Sequence, residues 1–236
     1  LGRVAYTGLY HDVEDRTRVV IQNNVNNFLN NKTKYYEDRT ALVNFNGVPI
    51  YYGNKAYPES DALEIHTISY YDSYVDLPSE LGANITTSYG NTSTTNTKGL
   101  ATVSKTRILN TNYWIINITY YDNKARPIYV YSQNPYLGTT DIIESKLDNF
   151  TGKVLETKTT HKKSGKPDIV TIVRFEYDHM DRLISQTQTI NNEIPKRIVK
   201  NRYDELGQLE SKLIGNGTKK GYDNVVNVSI NNNTIT

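Results

Sequence analysis

The sequence predicts a mostly β fold: an extended antiparallel β-strip of consecutive hairpins, with one α-helix inserted near the N-terminus. Three observations predict it. The chain contains 20 Tyr residues and many Thr and Asn residues, which favours half-buried strands joined by polar turns. A Tyr-Asp dipeptide followed by a short turn pattern recurs along the chain. Residues 11–35 depart from this β pattern and show a helical one instead.

The totals exclude several classes of protein. A length of 236 residues permits one or two domains and a buried core. A net charge of +2 argues against a nucleic-acid binder, which would need a basic face or stripe. The sequence has no run of about 18 apolar residues, so we expect no membrane span. It has no cysteine, which excludes disulfides and cysteine-based metal or nucleophile sites.

The inserted helix is predicted from "HDVEDRTRVVIQNNVNNFLNN", over about residues 12–31. Asp12 is the candidate N-cap of this helix. Four apolar residues at helical spacing predict the stripe that packs on the sheet: Ile21, Val25, Phe28 and Leu29. A membrane anchor is the less favoured interpretation, because the polar face is rich in Asn rather than in Lys.

The rest of the first hundred residues is predicted to be irregular. Asn46-Gly47 lies between two β runs in residues 41–54 and predicts a hairpin. Residues 63–72 form another predicted strand, and 77–100 read as a polar, mobile surface loop. We therefore divide the chain into an irregular region, 1–100, and a regular β-strip with a polar C-terminal tail, 101–236.

The repeat is a strand that ends in Tyr-Asp, followed by a tight turn and a second strand. After the dipeptide come two or three variable residues, a turn residue such as Gly, and then Arg, Lys or Gln before the next apolar run. The dipeptides are Tyr71-Asp72, Tyr121-Asp122, Tyr177-Asp178, Tyr203-Asp204 and the incomplete copy Tyr222-Asp223, with Leu147-Asp148 as a variant.

Each position of the repeat has a physical role. Tyr ends a strand and covers part of a sheet face, while the Asp carboxylate accepts hydrogen bonds from main-chain N–H groups about two residues on. Gly supplies a positive φ, and Ala125 and Asp181 stand in its place in two copies. The basic residue can cover a neighbouring ring. The repeat-motif residues are Gly2, Arg3, Tyr71, Asp72, Tyr121, Asp122, Arg126, Asp148, Gly152, Lys153, Tyr177, Asp178, Arg182, Tyr203, Asp204 and Gly207.

Eight strands flank these turns, and neighbours in sequence are predicted to pair antiparallel. Neither face of a segment such as "RLISQTQTI" is strongly apolar, so we expect one weakly hydrophobic face and one solvated face. The predicted strands are 112–121, 126–132, 138–147, 153–161, 168–177, 182–190, 195–203 and 208–214.

These motifs resemble the YD repeats of the Rhs family, in particular the RHS repeat-associated core proteins of Bacteroidetes (flavobacteria). The segments that carry the resemblance are "LGRVAYTG", "LDNFTGKVLETKTTH", "YDHMDRLISQ" and "YDELGQLESK". The resemblance covers most of the chain and is strongest in the first ten residues and from about 100 to 214. The opening segment matches only the second half of a repeat, so we expect an internal fragment of a longer chain.

In that family, successive hairpins join into one long sheet that spirals into a hollow shell around a variable C-terminal toxin or effector. The resemblance implies a wall segment of a secreted or cell-surface bacterial protein. Its partners would be the remaining shell and the C-terminal effector of the same polypeptide. The family's core-terminating segment, with its self-cleaving aspartate site, has no counterpart in this sequence. We therefore expect delivery and toxicity to lie outside these residues.

No catalytic, cofactor or metal site is predicted. The four histidines lack the spacing of a zinc helix, and the sequence contains no nucleophile elbow, P-loop or dinucleotide fingerprint. His179 lies in a turn between Asp178 and Asp181, but sibling repeats carry no histidine there. The alternative to a wall segment is a carbohydrate-binding or adhesin module, whose Tyr-rich sheet faces would stack on cell-surface glycans. An enzyme is the least favoured interpretation.

Overall fold

In the computed structural model, the residues described are mostly β, with one helix among them and a long antiparallel sheet. This confirms the predicted fold class at that level. The structure describes every predicted Tyr-Asp dipeptide except Tyr222-Asp223, which lies outside the described residues. The described residues are 2–12, 14, 16–31, 35–57, 63–215, 227–231 and 234–235.

The first part of the chain contains the helix and the hairpin predicted at Asn46-Gly47. The hairpin has its turn at these two residues, as expected. The elements are β1 (Tyr6–Tyr10), α1 (Arg18–Asn31), β2 (Arg39–Phe45), β3 (Val48–Tyr52), β4 (Leu63–Asp72) and β5 (Thr97–Arg107).

The remaining elements are strands. Each of the eight strands predicted between residues 112 and 214 is present, with ends within two residues of the prediction. They are β6 (Trp114–Tyr121), β7 (Pro127–Asn134), β8 (Thr139–Leu147), β9 (Val154–Lys163), β10 (Ile169–Tyr177), β11 (Leu183–Ile190), β12 (Lys196–Tyr203) and β13 (Leu209–Ile214), followed by β14 (Asn227–Asn231) and β15 (Thr234–Ile235).

Strands that neighbour each other in the sheet follow chain order, apart from β2 and β3, which form their own two-stranded sheet. β1 pairs with β4, β4 with β5 and β5 with β6, all antiparallel. The ladder from β8 to β13 is antiparallel throughout. The chain forms two compact units: Leu1–Ile85, Ser93–Ala125 and Ser132–Tyr136 in the first, and Thr86–Thr92, Arg126–Tyr131 and Leu137–Thr236 in the second.

The first unit has an aromatic and aliphatic core. The β2–β3 hairpin lies against β4, where the Tyr52 hydroxyl donates to the Ser69 carbonyl at 2.7 Å. The Asn46 amide donates to the Leu63 carbonyl at 3.1 Å. The hairpin therefore covers one face of the sheet in this unit. The side chains buried there include Ile50, Ile65, Ile68, Tyr70, Ile118 and Tyr120.

The sheet of the second unit is thin by comparison. Within strands β9 to β13, all of which the structure describes, only Thr189 and Val199 are buried. Every residue of β9 keeps some exposed surface, whichever face it points to. Both faces of this ladder therefore remain partly accessible, rather than one face being fully solvated.

The predicted N-cap of the helix is wrong. α1 begins at Arg18, and the Asp12 carboxylate instead accepts the main-chain N–H of Arg16 at 2.6 Å and its Nε at 2.8 Å. Because Asp12 is occupied by this ion pair, it caps no N–H of α1. No α1 residue is buried, and the Phe28 ring meets the Tyr57 ring edge-on at 5.4 Å. The predicted stripe thus makes a partial contact rather than a buried seam.

Candidate functional site

The Tyr-Asp turns are the features that the sequence singles out, and Asp178 shows how such a turn is built. Its Oδ1 accepts the main-chain N–H groups of Met180 and Arg182, both at 2.9 Å. The turn closes because the Asp178 N–H donates to the Arg182 carbonyl at 3.0 Å. Asp181 adopts a φ of +68°, in the region where Gly stands in the sibling turns. The carboxylate therefore replaces the water that these N–H groups would otherwise bind.

The sibling turns use the same carboxylate oxygen. In the Asp148 turn, the Thr151 N–H and then the Thr151 hydroxyl are the main causes that hold the pKa of Asp148 below its ordinary value. Hydrogen bonds to the charged form favour ionisation, so the Asp148 turn stabilises the carboxylate form of its side chain. The main-chain N–H groups that donate to Oδ1 of each Asp are those of Lys124 to Asp122 at 2.9 Å, Phe150 and Thr151 to Asp148 at 3.0 and 2.6 Å, and Gln208 to Asp204 at 2.8 Å.

The Asp72 turn carries a long insertion that the sequence did not reveal. The Gly99 N–H donates to Asp72 Oδ1 at 2.6 Å across 27 positions of sequence. Gly99 has a φ of +86°, and Leu100 and Ala101 follow it as Gln and Leu follow the Gly of the Asp204 turn. The segment 73–98 therefore interrupts one Tyr-Asp turn. The Gly-Leu-Ala before a β run was the available signal, but Leu stands where a basic residue was expected.

A second contact joins each repeat to the next, and we call it the inter-repeat contact. It consists of a Tyr, the basic residue that follows the preceding turn, and the carbonyl of the residue after that. The Arg182 guanidinium lies 4.6 Å from the centroid of the Tyr203 ring. The Tyr203 hydroxyl donates to the Leu183 carbonyl at 3.0 Å. The ring is thus held both at its face and at its hydroxyl.

The inter-repeat contact recurs in three other places. Lys153 lies 5.3 Å from the Tyr177 ring centroid, and Arg3 lies 4.6 Å from that of Tyr71. At Tyr121 the hydroxyl contact is present, but Leu100 takes the place of the cation. The hydroxyls donate from Tyr71 to Val4 at 3.2 Å, from Tyr121 to Ala101 at 2.7 Å and from Tyr177 to Val154 at 3.0 Å.

The basic residues also reach the following turn. Arg3 donates two hydrogen bonds to the Asp72 carboxylate, at 2.9 and 2.6 Å. Arg126 Nη1 donates to the Asp148 carbonyl at 3.0 Å, although Leu147 replaces Tyr in that repeat. Lys153 forms an ion pair with Asp181. The sequence predicted that these basic side chains cover a neighbouring ring. It did not show that the ring, and the turn beside it, belong to the next repeat.

Acid should weaken the Arg3–Asp72 contact. The pKa of Asp72 is lowered to about 2, first by the Arg3 side chain and then by the Gly99 N–H. The folded value lies below the ordinary 3.8, so the stabilisation is present above about pH 4 and is lost as the pH falls towards 2. Because the Asp72 side chain is 42% exposed, we expect a loss of less than about 1 kcal/mol.

Urea unfolding of the wild-type chain and of Asp72→Asn, between pH 5 and pH 2, measures this loss. The wild type should have the higher free energy of unfolding at pH 5, and the difference between the two chains should become smaller as the pH falls. A gap that stays constant over this range would contradict an ionised Asp72 as its source.

Alanine substitution at two glycines can distinguish the cost of a strained turn from the cost of disturbing the inter-repeat contact. Gly207 and Gly165 have φ values of +82° and +73°. A Cβ on Gly207 would lie 3.0 Å from Arg182 Nη1, whereas one on Gly165 would meet nothing within 4 Å. Both Ala substitutions should cost about 1 kcal/mol for the left-handed backbone. We expect Gly207→Ala to cost up to about 0.5 kcal/mol more, because the guanidinium must shift by a few tenths of an ångström over the Tyr203 ring. Chemical denaturation of the two variants tests this, and equal losses would contradict it.

The tip of the insertion, residues 86–92, belongs to the second unit and contacts its sheet. The Ser88 N–H and hydroxyl both donate to the Glu144 carboxylate, at 2.5 and 2.9 Å. The Tyr89 hydroxyl donates to Glu156 at 3.0 Å. Thr87, Ser93 and Thr97 are buried and β5 begins at Thr97, so the prediction of a polar surface loop over 77–100 is wrong at these positions and at its C-terminal end. Polar composition did not reveal the burial, because the buried groups find polar partners.

The histidines do not form a site. His11 and His66 approach the Glu64 carboxylate at 3.3 and 3.6 Å, where Arg107 already donates at 2.9 Å. His161 pairs with a carboxylate on the neighbouring strand. No group of three His, Asp or Glu side chains suited to a metal ion occurs within the described ranges. The helical residues that the structure describes do not form a membrane-spanning segment.

No family model matches the chain, and no curated protein matches it. The resemblance to YD repeats therefore remains an expectation that depends on the motifs themselves.

Proposed function

We propose that this chain is a structural wall segment of a secreted or cell-surface protein of the Rhs type. In this proposal the chain is non-catalytic, and its hairpins form part of a β-shell that encloses a C-terminal toxin or effector. Its partners are then the rest of the shell and the effector of the same polypeptide.

The observation that carries the proposal is the inter-repeat contact. A cation over an exposed ring contributes about 0.5–1 kcal/mol, and a hydrogen bond about 0.5–1.5 kcal/mol. Either is small alone, but the same pair of interactions recurs at Tyr71, Tyr177 and Tyr203. Such contacts fix each hairpin against its neighbour. That serves a continuous wall, whereas a ligand site would need groups that converge on one point.

The thin sheet of the second unit supports the same proposal. A sheet that leaves both faces partly accessible is a poor independent domain, because stable domains bury one face of a sheet against another layer. In a shell, the contents and the rest of the wall would lie next to these faces.

Protease protection of the full-length natural protein tests the proposal. The expected result is that the C-terminal region resists a protease until the shell is denatured. Arg182→Gln with Tyr203→Ala removes one inter-repeat contact and should make that region accessible sooner. Arg202→Gln is the matched control, because Arg202 is 76% exposed and its ion pair is with Glu210 on the surface. Equal digestion of wild type, variant and control from the start would overturn the wall proposal.

A glycan-binding module is the second candidate, and one observation favours it. The rings of Tyr113 and Tyr136 are both exposed, and their centroids lie 5.8 Å apart with an angle of 65° between the ring planes. Aromatic surfaces of this kind can stack on sugars. The repeat tyrosines offer less, because cations cover Tyr71, Tyr177 and Tyr203. A glycan array would decide: binding that Tyr113→Ala with Tyr136→Ala abolishes supports the module, and no binding supports the wall.

A further inference from the structure

The loop tip, residues 86–92, is hydrogen-bonded to two carboxylates of the sheet, Glu144 and Glu156, which we call the seat. Glu144 is buried, and its carboxylate accepts two hydrogen bonds from Ser88. Glu156, on the neighbouring strand β9, accepts the hydroxyl of Tyr89. Burial and then this hydrogen bond raise the pKa of Tyr89, so the phenol stays a donor. In the docked tip, two neutral residues, Ser88 and Tyr89, thus donate hydrogen bonds to two carboxylates.

The tip holds its own shape without the seat. Thr87 and Gly90 close a tight turn, in which the Gly90 N–H donates to the Thr87 carbonyl at 2.9 Å. The Thr87 N–H donates to the Asn91 carbonyl at 2.8 Å, and the Asn91 N–H donates to the Thr87 hydroxyl at 3.2 Å. Thr86 and Thr92 form the β-bridge at its base. These bonds are internal, so the tip can leave the sheet as one hairpin.

Release of the tip leaves no carboxylate without a counter-ion. Lys158 Nζ lies 3.2 Å from Glu144, and Arg174 Nε lies 2.6 Å from Glu156. Water can replace the hydroxyl and N–H donors of Ser88 and Tyr89 at little net cost, because such exchanges are nearly balanced. An unpaired buried charge would oppose opening by far more. Both the docked and the undocked state are therefore within reach of the same folded chain.

We propose that the loop tip is a reversible latch on the face formed by β8, β9 and β10. Ser88 and Tyr89 close it on Glu144 and Glu156, and their release uncovers those two carboxylates while the sheet stays folded. Such a two-state element lets a partner that binds the open face shift the population towards it. The inference goes beyond the proposed wall function and does not depend on it.

Hydrogen exchange of the 236-residue chain, followed by mass spectrometry, tests the latch. In the wild type, the Ser88 amide, which donates to Glu144 and not to the tip itself, should exchange through an opening that small amounts of urea do not accelerate, as expected for local rather than global unfolding. Ser88→Ala with Tyr89→Phe removes two hydroxyl donors and should speed exchange of the residue 88 amide by about tenfold or more. Tyr74→Phe is the matched control, because it removes a tyrosine hydroxyl from the same insertion, bonded to the Thr119 carbonyl.

Two results would overturn the latch. One is exchange of the Ser88 amide only at the rate of global unfolding, with the same urea dependence as the strands of the sheet. The other is equal exchange of the residue 88 amide in the wild type and in the double variant. If the double variant proves less stable overall than Tyr74→Phe, Ser88→Ala alone decides, since it removes a single hydroxyl and leaves the tip's internal bonds in place.

Discussion

Tyr70→Ala should lower the free energy of unfolding by about 3–5 kcal/mol, the largest single effect expected in this chain. The Tyr70 side chain is fully buried. Its ring stacks on Tyr52 with centroids 5.4 Å apart, and the Arg39 guanidinium lies 4.7 Å from the ring centroid. Its hydroxyl accepts the Tyr51 N–H at 3.2 Å. The substitution thus leaves a cavity beneath the β2–β3 hairpin and an unpaired N–H beside it.

Urea unfolding followed by far-UV circular dichroism measures this loss. Tyr70→Phe should cost only about 1 kcal/mol, because it keeps the ring and removes the hydroxyl. Tyr136→Ala is the exposed control and should stay within about 0.5 kcal/mol of the wild type. A Tyr70→Ala variant as stable as Tyr136→Ala would show that the hairpin does not pack on Tyr70 in solution.

Lys105→Ala should be the second most damaging change, with a loss of about 2–3 kcal/mol. Lys105 Nζ donates to Asp76 at 2.7 Å, and the side chains of the two residues are 10% and 21% exposed. Removing the cation leaves the carboxylate largely buried, with the Tyr70 hydroxyl 3.5 Å away as a weak substitute. Breaking a fully buried pair costs about 3–5 kcal/mol, and the remaining exposure of Asp76 reduces that figure.

A double-mutant cycle isolates the ion pair. Lys105→Ala with Asp76→Ala should recover part of the loss, because no unpaired charge remains. Arg202→Ala breaks an ion pair with Glu210 on the surface and should change stability by less than about 0.5 kcal/mol. Additive losses from the two single substitutions would contradict a coupled pair.

The strands and turns from residue 112 onward could be predicted because their signals are local. An Asp such as Asp178 meets its donors within four residues, so the turn is encoded in the sequence that forms it. The period-2 pattern between turns then sets the strand ends. For the inter-repeat contact, the sequence predicted that a basic side chain covers a tyrosine ring, but not which ring it covers. Which ring Arg182 covers depends on the pairing of β11 with β12, which no local pattern states.

Burial in the first half could not be predicted in the same way. Tyr70 and Tyr71 are adjacent in the same strand, yet Tyr70 is fully buried and Tyr71 is not. Alternation along β4 separates them, but the choice of face depends on the hairpin of β2 and β3, which packs from a distance in sequence. Asp12 failed as an N-cap for a different, local reason: Arg16, four residues on, was a competing partner for its carboxylate.

The insertion at the Asp72 turn has a consequence for what such a chain can carry. Asp72 holds the Gly99 N–H as firmly as its siblings hold donors a few residues away, so the corner closes whatever lies between. Widening a connection from about four to about 27 residues adds only about 1.7 kcal/mol of loop-closure entropy. A corner of this kind is a graft point: foreign segments could be displayed from it while the strand register behind it is preserved.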